Sequence, residues 1–303
     1  MADKHLFAFG FGSTASVLAS RLQGKGCHVS GTCRTPEKAE AIRAQGVDAY
    51  LFDGDKKVDR DVLDGVTHIL LSVPPGADGD PVLRLMQDEI ACQRATLQWI
   101  GYLSTTGVYG DRAGDLVDET MEMAPTSDRG RRRQAAEEAW FALGREITVP
   151  VQTFRLAGIY GPDRNQIVSL RAGKARRIVK PGHVFSRIHV EDIASVLEAS
   201  IARPNAGAAY NVCDDEAAPP QDVVAFAAEL IGMTPPPEVP FEDADLSPMA
   251  RSFYAESKLV SNKRIKEELG VELRFPTYRE GLRAIANAGD ELPQIKAAHR
   301  QEA

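Results

Sequence analysis

One stretch limits what this chain can fold into more than any other. Leu6-Phe7-Ala8-Phe9 is an apolar run of strand length, and Gly10-Phe11-Gly12-Ser13-Thr14-Ala15 follows it without a break. A helical stretch through Val17, Leu18 and Leu22 then ends at Gly24 and Gly26. Strand, glycine turn and helix form the setting in which Gly-x-Gly-x-x-Ala binds a dinucleotide. Gly10 permits the tight turn. Gly12 carries no side chain, so a pyrophosphate can approach the backbone. Ala15 keeps the helix close to the strand. The N–H groups and positive dipole end at Gly12, Ser13 and Thr14 are predicted to face the phosphates.

Strand and helix patterns alternate beyond this point. Strands are expected at His28–Cys33, Ala49–Phe52, Thr67–Val73, Ile100–Leu103 and Val151–Leu156. Thr35 can cap a helix that has Pro36 at its first position, and further helices are expected at Pro81–Cys92 and Gln134–Leu143. Thr67–Val73 is so apolar that both of its faces must be covered. The alternation predicts an α/β fold, a doubly wound parallel-sheet Rossmann domain, with a smaller C-terminal α+β substrate lobe. The expected division is 1–157 plus about 184–203 for the first domain and about 158–183 plus 204–288 for the lobe, with 289–303 a polar tail. In the second half, Val184–Val190 reads as a strand and Glu191–Ala202 as a helix, both returning to the main sheet, and in the lobe Tyr210–Cys213 reads as a strand and Val223–Ile231, Glu256–Leu269 and Tyr278–Asn287 as helices.

Ligands of such sheets sit at the carboxyl ends of the strands. The candidate cofactor-binding residues there are Gly10, Gly12, Ser13, Thr14, Ala15, Arg34, Asp53, Ser72, Val73, Pro74, Ser104 and Arg155. An acidic residue closing the second strand would accept from a ribose 2′-OH, whereas an arginine pairs with a 2′-phosphate. Arg34 closes it here, which predicts NADP over the alternative, NAD. Asp53 is placed to accept from an adenine amine or to serve as a turn carboxylate. A net charge of −7 argues against nucleic acid as a partner. No apolar run reaches the length of a membrane span. The first residues enter the opening strand without a leader. The four cysteines form no CxxC pair and no metal spacing, which fits a reducing, cytoplasmic compartment.

The fingerprint is followed in order by Leu103-Ser104-Thr105-Thr106-Gly107-Val108-Tyr109-Gly110, Arg155-Leu156-Ala157-Gly158-Ile159-Tyr160-Gly161-Pro162 and Arg187-Ile188-His189-Val190-Glu191-Asp192. Together these resemble the extended short-chain dehydrogenase/reductase superfamily, its NAD-dependent epimerase/dehydratase group. The resemblance implies a cofactor domain, a small-molecule substrate held by a C-terminal lobe, and a possible homodimer through two helices of the main domain. It also implies a Ser or Thr after the fifth strand, matched by Thr105, and a Tyr-x-x-x-Lys relay at the start of the next helix. Arg129 stands at the Tyr position and Arg133 at the Lys position. A guanidinium is effectively never deprotonated, so Arg129 cannot cycle a proton. It can stabilise negative charge, and Arg133 can still donate to a ribose. The candidate catalytic residues are therefore Thr105, Arg129 and Arg133.

A literal Tyr-x-x-x-Lys at Tyr254–Lys258 lies in the lobe and is read as a chance match. Asp128 could carry a proton only if burial raised its pKa. Tyr109 reads as packed, and His189 and Asp192 as residues that begin a helix and orient a loop. Arg171–Lys180 is either a basic ligand patch or a solvated face. Two functions follow: an NAD(P)-dependent oxidoreductase or epimerase/dehydratase-like enzyme on a small, anionic or neutral, carbonyl or sugar substrate, or a non-catalytic NADP-binding sensor that lost the relay.

Overall fold

The computed structural model describes residues 4–288, and the polar tail from Gly289 lies outside them. The first half alternates as predicted: β1 (His5–Phe9), α1 (Ser13–Gln23), β2 (His28–Cys33), α2 (Pro36–Arg43), β3 (Asp48–Leu51), β4 (His68–Leu71), α3 (Pro81–Cys92) and β5 (Trp99–Thr105). Then come β6 (Leu116–Val117), α4 (Asp128–Ile147), β7 (Val151–Leu156), β8 (Gly158–Tyr160), α5 (Gln166–Arg171), β9 (Arg177–Val179), β10 (Arg187–His189), α6 (Val190–Ala202) and β11 (Ala209–Val212). The chain closes with α7 (Pro220–Leu230), β12 (Glu238–Pro240), α8 (Pro248–Phe253), β13 (Leu259–Val260), α9 (Lys263–Glu267) and a helix α10 over 278–288.

Seven parallel strands form the main sheet in the order β11-β7-β5-β4-β1-β2-β3. The order reverses between β1 and β4, which opens a crevice at their carboxyl ends. Both faces are covered. Leu18 and Leu22 of α1 pack with Ile193 and Leu197 of α6 on one face. Met86 and Ile90 of α3 pack with Trp140 and Leu143 of α4 on the other. This double cover explains the unbroken apolar reading of β4. The Arg21 guanidinium joins α1 to α6 through Glu191 and through Ser195 at 2.8 Å.

Three expectations change. Tyr210 belongs to β11, which is the edge strand of the main sheet and not a lobe element, because its register on β7 runs from Ala209–Thr153 to Val212–Leu156. Residues 187–189 do not return to that sheet; β10 pairs with β8 in a separate two-stranded ladder. The helix expected over 256–269 shrinks to α9, because Leu259 and Val260 pair with Leu116 and Val117 as strands. Pairing with a strand distant in sequence overrode local helical spacing there.

The lobe core gathers Tyr160, Ile167 and Leu170 against Val223, Val224, Tyr278 and Leu282. A dense seam joins this half to the loop after β5. The Ser257 carbonyl accepts from the Arg112 and Gly114 amides at 3.1 and 3.0 Å. The Ser257 amide donates to Asp111 at 2.8 Å. Lys258 Nζ donates to the Gly110 carbonyl at 2.6 Å.

Candidate functional site

At the crevice, Gly10 adopts φ +86°, and a Cβ there would lie 3.1 Å from the Val73 side chain. A left-handed conformation and a crowded neighbour both select glycine. The turn is pinned by Thr32, whose hydroxyl accepts from the Gly10 amide at 2.9 Å and whose carbonyl accepts from the Phe11 amide at 2.7 Å. Gly12 is exposed, and a Cβ built on it would meet nothing within 4 Å. No side chain caps α1 above it. This is an open cradle over a bare helix N-terminus, the arrangement that takes an anion. One detail differs from expectation: the Gly12 amide is engaged by the Gly10 carbonyl at 3.0 Å, so Ser13 and Thr14 are the amides left at the first turn. Ala15 is fully buried against the sheet.

Arg34 is exposed and has no side-chain partner among the described residues. Asp53 is a turn carboxylate: it accepts from the Asp55 amide at 2.9 Å, and this bond holds its pKa below the ordinary value. Ser72, Val73 and Pro74 continue β4 past Gly10, with the Ser72 amide on the Phe9 carbonyl at 2.9 Å. Ser104 is 5% exposed and its hydroxyl has no partner. Thr105 is half-buried, and its hydroxyl accepts from the Gly107 amide at 3.1 Å to start the following turn.

Two predicted ligand residues have other employment. Arg155 is 5% exposed and donates from Nη2 to Glu137 at 3.0 Å, from Nε to the same carboxylate at 3.2 Å, and from Nη1 to the Tyr109 hydroxyl at 2.8 Å. Burial opposes its charge, but Glu137 and Tyr109 outweigh burial and raise its pKa. Its donors are thus engaged within the protein. Arg133 is 7% exposed and donates to the Leu103 carbonyl of β5, with its guanidinium over the Tyr102 ring at 5.6 Å. Its Nε remains without a partner. Gly130 lets the first turn of α4 press against this loop, since a Cβ there would lie 2.7 Å from Pro125 and 2.8 Å from the Gly107 carbonyl.

Arg129 is exposed, one residue ahead of that contact. Desolvation lowers its pKa first, followed by the positive charges of Arg133 and Arg164. Asp128 is fully exposed, and its pKa is lowered by Arg131, which removes it as a proton carrier. Tyr109 is buried and donates to Asn211 at 2.8 Å, as its packed reading requires. His189 accepts from the Glu191 amide to begin α6, and Asp192 accepts from the Arg274 and Phe275 amides at 2.7 and 3.0 Å. Within the basic stretch 171–180, Arg176, Arg177 and Lys180 are tied to Asp245, Glu238 and Tyr254, so it is largely a set of structural contacts.

Beyond Gly158, a cavity of about 470 Å³ opens between β8, α5 and the lobe. Its walls include Tyr160, Phe185, Tyr254 and Tyr278, with Arg164 and Arg187 as its arginines. Tyr254 therefore faces a ligand-sized space, although Lys258, four residues on, is anchored to Gly110. His183 lies with its ring 5.1 Å from that of Tyr254; burial pushes its pKa down to about 4, leaving it neutral. Arg187 is 8% exposed and donates to the Phe185 and Ala218 carbonyls at 2.7 and 3.0 Å. Behind it, Asp214 is almost wholly buried with one oxygen unpartnered, and burial raises its pKa to about 8. Among the described residues, no three His, Cys, Asp or Glu side chains converge as metal ligands, and no helix is long and apolar enough to cross a membrane.

A profile of the NAD dependent epimerase/dehydratase family matches residues 85–213, the span that carries β5, α4, β7 and the Arg187–Asp192 motif. Over that span the chain is similar to the NAD-dependent epimerase/dehydratase family. The chain is 28% identical over 283 residues to Protein YeeZ of Escherichia coli (strain K12), covering 90% of this chain and 97% of that protein. It is 54% identical to a functionally unknown conserved protein from Silicibacter pomeroyi DSS, whose solved structure superposes with a TM-score of 0.87 over 94% of this chain and 99% of that one. The fold is also that of UDP-glucuronic acid 4-epimerase from Bacillus cereus, solved in complex with NAD, at 16% identity and a TM-score of 0.74 over 93% of this chain and 96% of that one.

The buried groups make two predictions. Glu137→Ala strands the Arg155 guanidinium without its carboxylate and should lower the unfolding free energy by about 3–5 kcal/mol in urea titration. Asp214 loses its proton at about 8 when folded, against an ordinary value of 3.8. Between those values unfolding releases a proton, so this group lowers stability progressively as pH rises. Asp214→Asn should remove that slope, and its gain in thermal midpoint over wild type should grow from pH 4 to pH 8.

Proposed function

We propose that this protein is an NADP-dependent oxidoreductase or epimerase of its family, acting on a small carbonyl or sugar substrate held in the 470 Å³ cavity. The open cradle at Gly12 over the uncapped α1 carries the reading. It fits a pyrophosphate, and at the end of β5 the buried Ser104 hydroxyl has no partner. The cofactor would supply the hydride acceptor and donor. Gly10, Ser13, Thr14 and Ala15 would hold its phosphates, and Ser72, Val73 and Pro74 would floor the pocket. Arg34, unpaired and exposed, would take a 2′-phosphate.

Within this proposal Thr105 donates its hydroxyl proton as a hydrogen bond to the substrate oxygen, while Gly107 occupies the oxygen from the other side. Arg129 supplies positive charge at that end of the site. It cannot move a proton, so the family's usual relay does not operate here. Tyr254, on the cavity wall, is the phenol closest in kind to the missing group. A second reading, a cofactor-binding module without turnover, is favoured by Arg133, which is locked on the Leu103 carbonyl. A homodimer and a cytoplasmic location complete the proposal; a monomeric mass by light scattering would count against the dimer.

Calorimetry with NADPH and NADH tests the cofactor. NADPH should bind more tightly than NADH, and Arg34→Ala should weaken NADPH about 10-fold, the value of one charge-assisted contact, with little change for NADH. A preference for NADH would overturn the assignment of Arg34. Failure to bind either would overturn the cofactor reading. Stereospecific hydride transfer from labelled NADPH to a member of a carbonyl panel would exclude the module without turnover.

A further inference from the structure

Aromatic side chains wall much of the cavity beside β8: Tyr160, Phe185, Phe253, Tyr254 and Tyr278. Two glycines make room for them. A Cβ on Gly158 would lie 2.3 Å from the Phe185 ring, and one on Gly281 would lie 2.1 Å from the Tyr160 hydroxyl. Tyr254 is held between His183 and Phe241, with ring centroids 5.1 and 5.3 Å away. Tyr278 meets Phe226 edge-on at 5.6 Å. Packing thus fixes these rings before a ligand arrives. The uncharged polar side chains of the wall are largely committed elsewhere. Asn165 donates to the Gly161 and Pro162 carbonyls at 2.8 and 2.9 Å and accepts from the Val168 amide at 3.0 Å. Ser169 donates to the Asn165 carbonyl at 3.1 Å. Gln166 and the buried Nδ1 of His183 are left without a hydrogen-bond partner among the described residues.

Charge on the wall is equally sparse. Asp163 and Arg164 are exposed, adjacent in the chain and opposite in sign. Arg187 is the charged wall residue that is buried. Its Nη1 is spent on the Phe185 and Ala218 carbonyls. Its Nε and Nη2 make no hydrogen bond, and its guanidinium forms no ion pair, among the described residues. The Asp214 amide donates to the Arg187 carbonyl at 2.7 Å, but burial raises the Asp214 carboxyl to about 8, so at neutral pH it is largely protonated and does not cancel the cation. A buried charge without a partner is costly, and a bound anion offsets that cost. We infer that the cavity takes a flat aromatic carbonyl compound with a single carboxylate, and not a sugar nucleotide, with its ring among the aromatic walls and its carboxylate on Nε and Nη2 of Arg187. Fixed aromatic walls with few placed polar groups favour a planar apolar body. The planar guanidinium fork matches a carboxylate bidentately. A sugar nucleotide brings many hydroxyls and two phosphate charges, for which this wall offers few free donors and one buried cation. The inference deepens the proposed function and rests on the cavity being its substrate site.

The test uses the full chain and four probes by calorimetry, benzoylformate, acetophenone, pyruvate and UDP-glucose, with NADPH binding measured on the same samples. Benzoylformate carries ring, ketone and carboxylate; acetophenone lacks the carboxylate and pyruvate lacks the ring. Benzoylformate should bind the wild type about 10-fold more tightly than any of the other three. Arg187→Gln should bring benzoylformate down to the affinity of acetophenone, which itself stays unchanged, and Arg187→Lys should restore part of the difference. Tyr254→Ala should weaken benzoylformate and acetophenone alike by about 5-fold and leave pyruvate unchanged. Acetophenone and NADPH binding report that the Arg187 variants are folded, and the wild-type ranking decides without any variant. UDP-glucose, acetophenone or pyruvate matching benzoylformate, or no binding of any probe, would overturn the assignment. So would an Arg187→Gln protein that keeps the wild-type preference for benzoylformate. NADPH separates the two readings: binding retained confines the failure to the substrate class, and binding lost overturns the cofactor reading as well.

Discussion

The Arg155–Glu137 pair holds together the parts on which the site depends. Arg155 comes from β7 and Glu137 from the middle of α4, and both are almost fully buried. The same guanidinium reaches the Tyr109 hydroxyl, and Tyr109 in turn reaches Asn211 on β11. Two charges in a dry interior are stable only when their hydrogen bonds are complete, and here they nearly are. The consequence is geometric. The rotation of α4 about its axis is set by a point in its third turn. That setting decides that Arg133 faces β5 and that Arg129 emerges to solvent.

Chemistry at the start of α4 then departs from the family through one property of arginine. A phenol can give up a proton when a neighbouring lysine lowers its pKa; a guanidinium cannot under any neighbour found here. Arg133 does not restore what the lysine would do, because it is engaged by the Leu103 carbonyl and stacked on Tyr102. What remains in this corner is positive charge, oriented donors and the Thr105 hydroxyl. In the proposed reading such a corner acts electrostatically, by binding and polarising, and not as a proton relay.

The fingerprint, six of the seven strands of the main sheet and the family resemblance were readable because each rests on local pattern: apolar runs, glycine spacing and helix caps within a few residues. Thr32, Glu137 and Asn211 were not readable, since their partners lie 22, 18 and 102 residues away. The internal partners of Arg155 were not readable for the same reason. Arg155 ends near the crevice in sequence register, but a buried carboxylate from another element holds it away from solvent. Tyr254 was read as a chance match to a motif, and its place in the cavity wall follows only from how α8 folds over β8 and α5. The strand at 259–260 was hidden because two residues of pairing with a distant loop leave no periodicity to detect.

The seam at Ser257 and Lys258 has a mechanical consequence. Backbone bonds run from Arg112 and Gly114 to Ser257 and from Leu259 to Asp115, while Lys258 grips Gly110. The segment that ends in the cavity wall is thereby spliced to the loop leaving β5. A hinge needs a stretch whose dihedrals can change without breaking such bonds. This stretch has none to spare, so the wall bearing Tyr254 and the loop bearing Thr105 travel as one rigid unit. The exposed turn at 162–164, part of which also lines the cavity, has no backbone bond to that seam among the described residues.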